Sequence, residues 1–251
     1  MAARVAIITP YWQEPRAILD RCIASVAAQS VPADHLLVAD GAPQDWLDDA
    51  PVRHLRLDRN HADFGNVARA VGALLAAGDG YDAIGFLDAD NRIDHDHVAL
   101  CLAAAQVAGS DGVIAQRRFE LSDGTPVPAS DDAAMVDTNC LFLLPGAYPL
   151  IARWALIPPQ LAPIGDRLFH VSMQLAGCRM ARTDRPSVTC VSRWESHYAA
   201  LGLPIPEDAR VLDWAAIADW LAGLSADKRR TVEHLIGAAL TVVEKDEGDE
   251  G

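Results

Sequence analysis

Positive charge is scarce in this sequence. Of its 251 residues, 21 are lysine or arginine and 35 are aspartate or glutamate, which gives a formal net charge of −14. Proteins that bind nucleic-acid phosphates or anionic lipid need a basic surface. The composition therefore disfavours both classes, and we expect no nucleic-acid partner. A phosphate-bearing ligand would need a bound cation or a local basic cluster beside it.

Paired cysteines and long apolar stretches are also missing. Five cysteines are present, an odd number, widely spaced and without a CxxC pair: Cys22, Cys101, Cys140, Cys178 and Cys190. This pattern is typical of reduced thiols and argues against a disulfide framework or a zinc site. The longest uncharged stretch, residues 138–152, is too short and too interrupted by proline to span a bilayer. Because no signal-peptide core precedes residues 5–9, we predict a cytoplasmic protein without a transmembrane segment.

The first half of the chain alternates strand and helix patterns. Short apolar runs predict strands at residues 5–9, 36–39, 52–57, 83–87 and 112–116, and helical spacing predicts helices at residues 18–26, 64–77 and 94–108. Such alternation predicts an α/β fold with a mostly parallel sheet flanked by helices. Ligands of these sheets bind at the carboxyl ends of the strands, where this chain carries Thr9-Pro10-Tyr11, Asp40-Gly41 and Asp88-Ala89-Asp90.

The second half is less regular. We predict a turn at residues 122–125, a strand at 140–144, a helix at 166–175, two short strands at 179–181 and 188–191, and two amphipathic helices at 212–221 and 228–243. An acidic tail, residues 244–251, follows them. The last two helices have the character of a C-terminal appendage.

Two carboxylates, Asp88 and Asp90, directly follow the predicted strand at residues 84–87. At a strand end both can face one polar site, where a divalent cation would offset their repulsion. Mg²⁺ or Mn²⁺ takes oxygen ligands from one or two carboxylates and completes its shell with substrate phosphates. The simpler alternative is a pair of solvated loop acids.

Several segments together resemble the family-2 glycosyltransferases of the GT-A fold. They are VAIITPYWQEPRAILDRCIASVAAQSV, LLVADGAP, HADFGNVAR and IGFLDADNRI, in that order. The resemblance implies a Rossmann-like sheet in which residues 1–118 bind a nucleotide-sugar, residues 119–205 form the acceptor side, and residues 206–251 are C-terminal helices and tail. It further implies inverting, metal-dependent transfer of a hexosyl group from a UDP-type donor to a glycan, lipid-linked or small-molecule acceptor. Acceptor contacts would come from the loops at residues 117–137 and 145–163.

The resemblance also suggests which residues bind the nucleotide. Thr9, Pro10 and Tyr11 would line the base and ribose pocket, and Glu14 would lie near the ribose. Asp40 would accept a hydrogen bond from the pyrimidine N–H, a donor that a carboxylate at a strand end suits. The alternative for Asp40 is a simple turn with the glycine that follows it.

A second group would hold the sugar and diphosphate. Asn66 and Arg69 match the segment around the donor, although Arg69 could be a surface residue. Asp63 would also make a good N-cap for the following helix. Ala89, between the paired acids, would contact the nucleotide-sugar. Asp88 would also contact it, either at the ribose or through the metal by way of a water molecule.

The resemblance assigns metal binding to two further side chains. Asp90 would be the direct metal ligand, and His197 matches a late histidine that serves as a further metal ligand in some members. Arg193, close to His197, could instead contact the diphosphate.

A general base is expected at Asp166, because inverting transfer needs a carboxylate that takes the acceptor's proton. The family often has an acidic pair at this point, whereas Gly165 precedes Asp166 here. Asp166 could instead cap the helix that follows, and Asp137 is a second candidate for the base.

Three rival functions stay open on sequence grounds. A phosphatase with an Asp-x-Asp nucleophile would carry its acids after the first strand. A sugar nucleotidyltransferase would open with a glycine-rich basic loop, which residues 7–15 lack. A non-catalytic nucleotide-sugar-binding module is compatible with the altered Gly165-Asp166 pair.

Overall fold

One mixed sheet organises the molecule. The structure, a computed structural model, describes residues 3–107, 109–128 and 136–241. The strands are β1 Val5–Tyr11, β2 Asp34–Ala39, β3 Arg53–Arg56, β4 Ala83–Phe86, β5 Arg92–Ile93, β6 Gly112–Glu120, β7 Pro126–Val127, β8 Leu141–Leu143 and β9 Met180–Val191. Within the described residues their order is β3-β2-β1-β4-β8-β6-β9-β5, and β7 pairs with β6.

Helices and 3₁₀ segments connect these strands. The helices are α1 Arg16–Ala27, α2 Asn66–Gly78, α3 His97–Ala105, α4 Gly165–Leu175, α5 Glu195–Ala200, α6 Trp214–Ala222 and α7 Ala226–Ile236. Segments of 3₁₀ helix span Asp45–Asp49, Thr138–Cys140, Pro145–Leu156 and Pro159–Ile164. None of the helices in the described ranges has the length and apolar character needed to cross a bilayer.

The N-terminal half of the sheet is parallel, as predicted. β1 lies between β2 and β4, and β3 adds to β2, all in parallel register. All residues of β1 and β4 are buried, because helices cover both faces of the sheet. The continuous apolar runs in the sequence reflect this two-sided burial.

Alternate residues of β1 enter two separate hydrophobic clusters. Ala6 and Ile8 pack with the alanines of α2 on one face, whereas Val5 and Ile7 pack with α1 and α3 on the other. Full burial of an isoleucine or valine side chain stabilises the fold by about 1.5–3 kcal/mol. Gly72 lets α2 approach closely, since a Cβ there would lie 2.7 Å from the Ile8 side chain.

The C-terminal half of the sheet differs from the prediction of two short strands. β9 is a single strand of 12 residues, parallel to β6 with register shifts near Gln116. Side chains bridge this irregularity: Thr183 Oγ1 accepts from the Gln116 amide at 2.9 Å, and Gln116 Nε2 donates to the Thr183 carbonyl at 2.8 Å. The exposed polar residues in the middle of β9 break the apolar pattern by which a strand is recognised in sequence.

Two other segments depart from expectation. Residues 145–163, expected as a loop, form two 3₁₀ segments that bury Ile151 and Trp154 completely. Their apolar side chains serve the core, which explains their regular structure. Part of the other expected acceptor loop, residues 129–135, lies outside the described residues.

Helix ends also shift. α3 and α7 are shorter than the predicted helices at residues 94–108 and 228–243, of which Ala108, Val242 and Val243 lie outside the described residues, as does the acidic tail. α6 and α7 contribute Ile217, Leu221 and Ile236 to the same core cluster as β1 and α2. None of the five cysteines, all of which lie in the described residues, is joined to another in a disulfide.

Candidate active site

A cleft of about 560 Å³ opens where β1, β2 and β4 end. Its walls come from segments far apart in sequence, and most of its charged side chains are acidic. The lining residues are Pro10, Tyr11, Trp12, Glu14, Asp40, Asn60, Ala62, Asp63, Phe64, Gly65, Asn66, Arg69, Asp88, Ala89, Asp90, Asn91, Phe119, Asp137, Thr138, Ala162, Pro163, Asp166, Cys190, Val191, Ser192, Trp194 and Arg210. The convergence predicted from the strand ends is therefore present.

Asp40, at the end of β2, is a fixed carboxylate. It is buried, and His61 contacts both of its oxygens, through Nδ1 at 2.6 Å and through its backbone N–H at 3.1 Å. Gly41 makes this possible, because at φ +80° it lacks a Cβ that would lie 2.2 Å from the backbone of Arg59 and Asn60. Each carboxylate oxygen can accept a second hydrogen bond, so Asp40 is more than a turn residue.

The segment between Asn60 and Asn66 folds tightly over the cleft. Ala62 and Phe64 have φ values of 52° and 57°, rare for residues with a side chain. Backbone strain of this kind is concentrated at ligand clamps and catalytic sites. Asp63 Oδ2 accepts from the Val67 amide at 2.8 Å, so it satisfies one amide of the first turn of α2, although Gly65 and not Asp63 is the N-cap.

Arg69 and Asp88 form the ion pair at the base of the cleft. Arg69 is 3% exposed, and its Nη2 lies 2.7 Å from Asp88 Oδ1. Its Nη1 donates to Asn66 Oδ1 at 3.1 Å, and its guanidinium lies over the Trp154 ring. Arg69 is therefore not a surface residue. Asn66 Nδ2 and Arg69 Nε are buried without a described hydrogen-bond partner, which leaves two donors for a ligand or water.

Asn139 joins two acidic residues of the cleft. Its Oδ1 accepts from the Asp88 backbone N–H at 2.5 Å, while its Nδ2 donates to Asp88 Oδ2 at 3.0 Å and to Asp137 Oδ1 at 2.6 Å. Asp137 in turn accepts from the Asn139 backbone at 2.8 Å. The orientation of Asp88 is thus set from two sides, by Arg69 and by Asn139.

Among the carboxylates that line the cleft, only the Asp90 side chain accepts no hydrogen bond from the described residues. Its backbone carbonyl accepts from Arg21 at 2.7 Å, but its side chain faces the cleft. Burial and then the charge of Asp88 raise the pKa of Asp90 to about 6, against smaller opposing effects of Arg210 and Arg193. An ionised Asp90 would therefore be stabilised by a cation in the cleft.

Asp166 also lines the cleft, in the first turn of α4. It accepts a hydrogen bond from the Arg167 backbone N–H at 2.7 Å, but the N-cap of α4 is Ile164 and no side chain caps this helix, so the alternative of a capping role for Asp166 is wrong. Burial, and next the negative charge of Asp137, raise the pKa of the Asp166 carboxyl well above its usual range. Gly165 beside it touches Asn66, because a Cβ there would lie 2.7 Å from Asn66 Nδ2. The missing acidic partner is thus explained by packing.

The sequence matches the model of Glycosyl transferase family 2 over residues 6–184. The chain belongs to this family. Among curated proteins no sequence matches significantly.

Solved structures of S. aureus TarS are similar to this chain in fold. S. aureus TarS 1–349 in complex with UDP-GlcNAc is 15% identical with a TM-score of 0.62, over 93% of this chain and 70% of that one. The same protein in complex with UDP gives 0.57 at 15% identity, over 93% and 69%. The longer TarS structure gives 0.56 at 15% identity, over 93% and 42%. This glycosyltransferase therefore has the GT-A fold, an α/β fold with a mixed sheet flanked by helices.

Most residues predicted for the glycosyltransferase site line the cleft. They are Pro10, Tyr11, Glu14, Asp40, Asn66, Arg69, Asp88, Ala89, Asp90 and Asp166. Tyr11 is held by a contact of 2.6 Å between its hydroxyl and His54 Nε2, and Glu14 accepts from the Trp12 amide at 2.6 Å.

Two predicted residues lie elsewhere. Thr9 is fully buried beneath the cleft, with its hydroxyl 2.8 Å from His35 Nε2. His197 lies outside the lining: its Nδ1 is 2.7 Å from the Ser192 hydroxyl, and its ring packs edge-on against Phe119. Across the described residues, no group of three His, Cys, Asp or Glu side chains is arranged to hold a metal. The structure thus does not bring His197 together with Asp88 and Asp90.

Asn139 and Arg210 are among the residues of this site that sequence reasoning missed. Asn139 had no signal beyond its place after Asp137, since an amide is not a titratable group and its role depends on Asp88, 51 residues away. Arg210 lies in a segment that was expected to be part of the C-terminal appendage, yet it lines the cleft.

Proposed function

We propose that this family-2 glycosyltransferase moves a hexosyl group from a UDP-linked sugar to an acceptor hydroxyl, with inversion and with Mg²⁺ or Mn²⁺. The observation that carries the proposal is the placement of the strand-end acids Asp88 and Asp90 and of Asp166 in one cleft. Such a cleft offers a site for a diphosphate beside a carboxylate that can take a proton. The TarS structures with UDP and UDP-GlcNAc support a donor of this class.

The donor's base would bind near Asp40 and Tyr11. Asp40 retains acceptor capacity after its contacts with His61, and the ring N–H of a uracil is a matching donor. A base without that N–H would lose this hydrogen bond, which contributes about 1.5–3 kcal/mol when the acceptor is charged. Asp40 would therefore favour a base with a ring N–H, such as uracil.

The side chains at the end of β4 fit a divalent cation. Asp90 has a free carboxylate in the cleft, and Asp88 lies two residues away. Mg²⁺ and Mn²⁺ are commonly held by one or two carboxylates and substrate phosphates, so a third protein ligand is not required. Asp90 would be the direct ligand, and Asp88, held by Arg69 and Asn139, would orient the donor. When bound, the ion would offset the negative charge of the leaving nucleoside diphosphate.

Asp166 is suited to act as general base. Its carboxylate would accept the proton of the acceptor hydroxyl while that oxygen attacks the anomeric carbon and the bond from that carbon to the diphosphate breaks. A raised pKa makes Asp166 a stronger base than an ordinary aspartate. A single base on one side of the sugar supports inversion of the anomeric centre.

Nucleotide binding measured by thermal shift tests the proposal. UDP at a hundred times its dissociation constant should stabilise the chain by about 2.7 kcal/mol, with a larger shift in Mn²⁺ than in chelator. Asp90→Asn should remove the metal-dependent part, whereas Asp20→Asn, an exposed change on α1, should not. A metal-dependent shift that survives in Asp90→Asn would remove Asp90 as a ligand.

Turnover must be measured as well, with UDP release as the readout. Binding without release of UDP in the presence of acceptors would favour the non-catalytic alternative. No shift with UDP together with a shift for another nucleotide would overturn the donor assignment.

A further inference from the structure

The charges of the cleft are strongly unbalanced for a protein that would bind a diphosphate. Seven lining residues are acidic: Glu14, Asp40, Asp63, Asp88, Asp90, Asp137 and Asp166. Two are basic, Arg69 and Arg210. Since Arg69 is already committed to Asp88 at 2.7 Å, its charge is largely offset within the protein. Arg210 is therefore the lining cation whose charge no carboxylate of the described residues offsets.

Arg210 has no carboxylate partner among the described residues, and it is exposed. It nevertheless lines the same cleft as Asp88 and Asp90, the acids at the end of β4. A planar guanidinium can form two parallel hydrogen bonds to a phosphate, which suits it to an anionic group bound there.

The backbone around Arg210 is anchored to the rim of the cleft. Its amide donates to the Arg193 carbonyl at 2.6 Å, and the Glu195 amide donates to the Arg210 carbonyl at 2.9 Å. Trp194, another lining residue, forms a parallel bridge with Arg210. These bonds place Arg210 at a defined point, although it comes from the irregular chain between α5 and α6.

We propose that Arg210 binds the diphosphate of the sugar donor and stabilises the charge that develops on it as the glycosidic bond breaks. The proposal rests on the proposed function. It concerns a residue beyond the part of the chain that matches the family model, residues 6–184. It also gives the C-terminal segment a part in the site, which otherwise would serve the core alone.

Equilibrium binding of UDP and of uridine to three variants tests this assignment. Arg210→Ala should weaken UDP binding about tenfold, the lower range for a hydrogen bond to a charged group, and leave uridine binding unchanged. Arg210→Lys should lose less, because it keeps the charge but not the paired geometry. Arg230→Ala, the same change of charge on an exposed residue of α7, should bind both ligands like the unaltered chain.

Salt dependence provides a second measurement. The fall of UDP affinity with rising salt should be less steep in Arg210→Ala than in the unaltered chain, because one cation–phosphate contact is lost. In chelator, where no divalent ion shares the charge, the difference between the two proteins should be largest. A structural role of Arg210 would not produce this pattern.

These measurements distinguish a wrong assignment of Arg210 from a wrong proposed function. If the unaltered chain binds UDP and Arg210→Ala binds it equally well, or loses UDP and uridine to the same extent, the assignment of Arg210 is wrong and the proposed function stands. If the unaltered chain binds neither UDP nor uridine, the proposed function fails, and the role of Arg210 fails with it.

Discussion

Replacing Gly165 with alanine tests how tightly the floor of the cleft is packed. The added Cβ would lie 2.7 Å from Asn66 Nδ2 and 3.1 Å from Asn66 Oδ1, well inside contact distance. Asn66 cannot easily move away, because it is 2% exposed and its Oδ1 accepts from Arg69. Arg69 is itself buried and paired with Asp88.

The size of the effect follows from two opposing terms. Forcing a methyl group into a close-packed site costs about 1–3 kcal/mol, whereas removing a glycine from a helix returns about 0.5–1 kcal/mol. The middles of these two ranges give a net loss of about 1 kcal/mol in the free energy of unfolding. For a chain of this size that lowers Tm by about 2–4 °C. UDP affinity should fall as well, because Asn66 lines the cleft.

Thermal unfolding with and without UDP measures both effects, and Gly78→Ala is the matched control. Gly78 ends α2, and a Cβ there would meet no atom within 4 Å. Gly78→Ala should therefore leave UDP affinity unchanged and Tm equal or slightly higher. A Gly165→Ala protein as stable as Gly78→Ala, with unaltered UDP affinity, would refute the account of the cleft floor.

Three further predictions concern Asp166. Asp166→Asn should bind UDP normally but lose turnover, and unchanged turnover would discard Asp166 as base. Burial raises the pKa of Asp166 in the folded protein. The contribution of protonated Asp166 to the free energy of unfolding is therefore full below the pKa of the unfolded chain, and it is lost as pH rises through the folded pKa. Asp166→Asn should thus raise Tm more at about pH 8 than at about pH 4. Asp137→Asn should move the acid limb of the pH profile of turnover to lower pH, because it removes a negative charge that raises the pKa of Asp166. The substitution keeps an oxygen that can accept from the Asn139 backbone. An acid limb at the same pH would contradict this prediction.

Local patterns in the sequence were sufficient for the first half of the sheet. The run of apolar residues in β1 and the Asp88-Ala89-Asp90 cluster after β4 needed no knowledge of distant partners. Because parallel strands end at one edge of a sheet, their order alone placed Asp40 and Asp88 in a common cleft. The bond from the Val67 amide to Asp63 is equally local, although the N-cap of α2 is Gly65 rather than Asp63 as the sequence predicts.

Long-range contacts set the limits of that reasoning. The sequence predicts two short strands in place of the single strand β9, because the central residues of β9 are polar. Hydrogen bonds of the Gln116 and Thr183 side chains bridge the irregular part of its pairing with β6. The sequence is compatible with Arg69 either on the surface or in the site, because its partner Asp88 is 19 residues away along the chain. Gly165 was a departure from the family's pattern that only the contact with Asn66 explains.

By itself, the sequence determined the α/β class, the family and the acids at the strand ends, because hydrophobic periodicity and the order of short motifs are local properties of the chain. The tertiary structure alone decided that Asn139 and Arg69 hold Asp88, that His197 lies outside the cleft lining and that Arg210 reaches the cleft. Those facts depend on which distant segments come into contact. The spacing of residues along the chain does not predict such contacts.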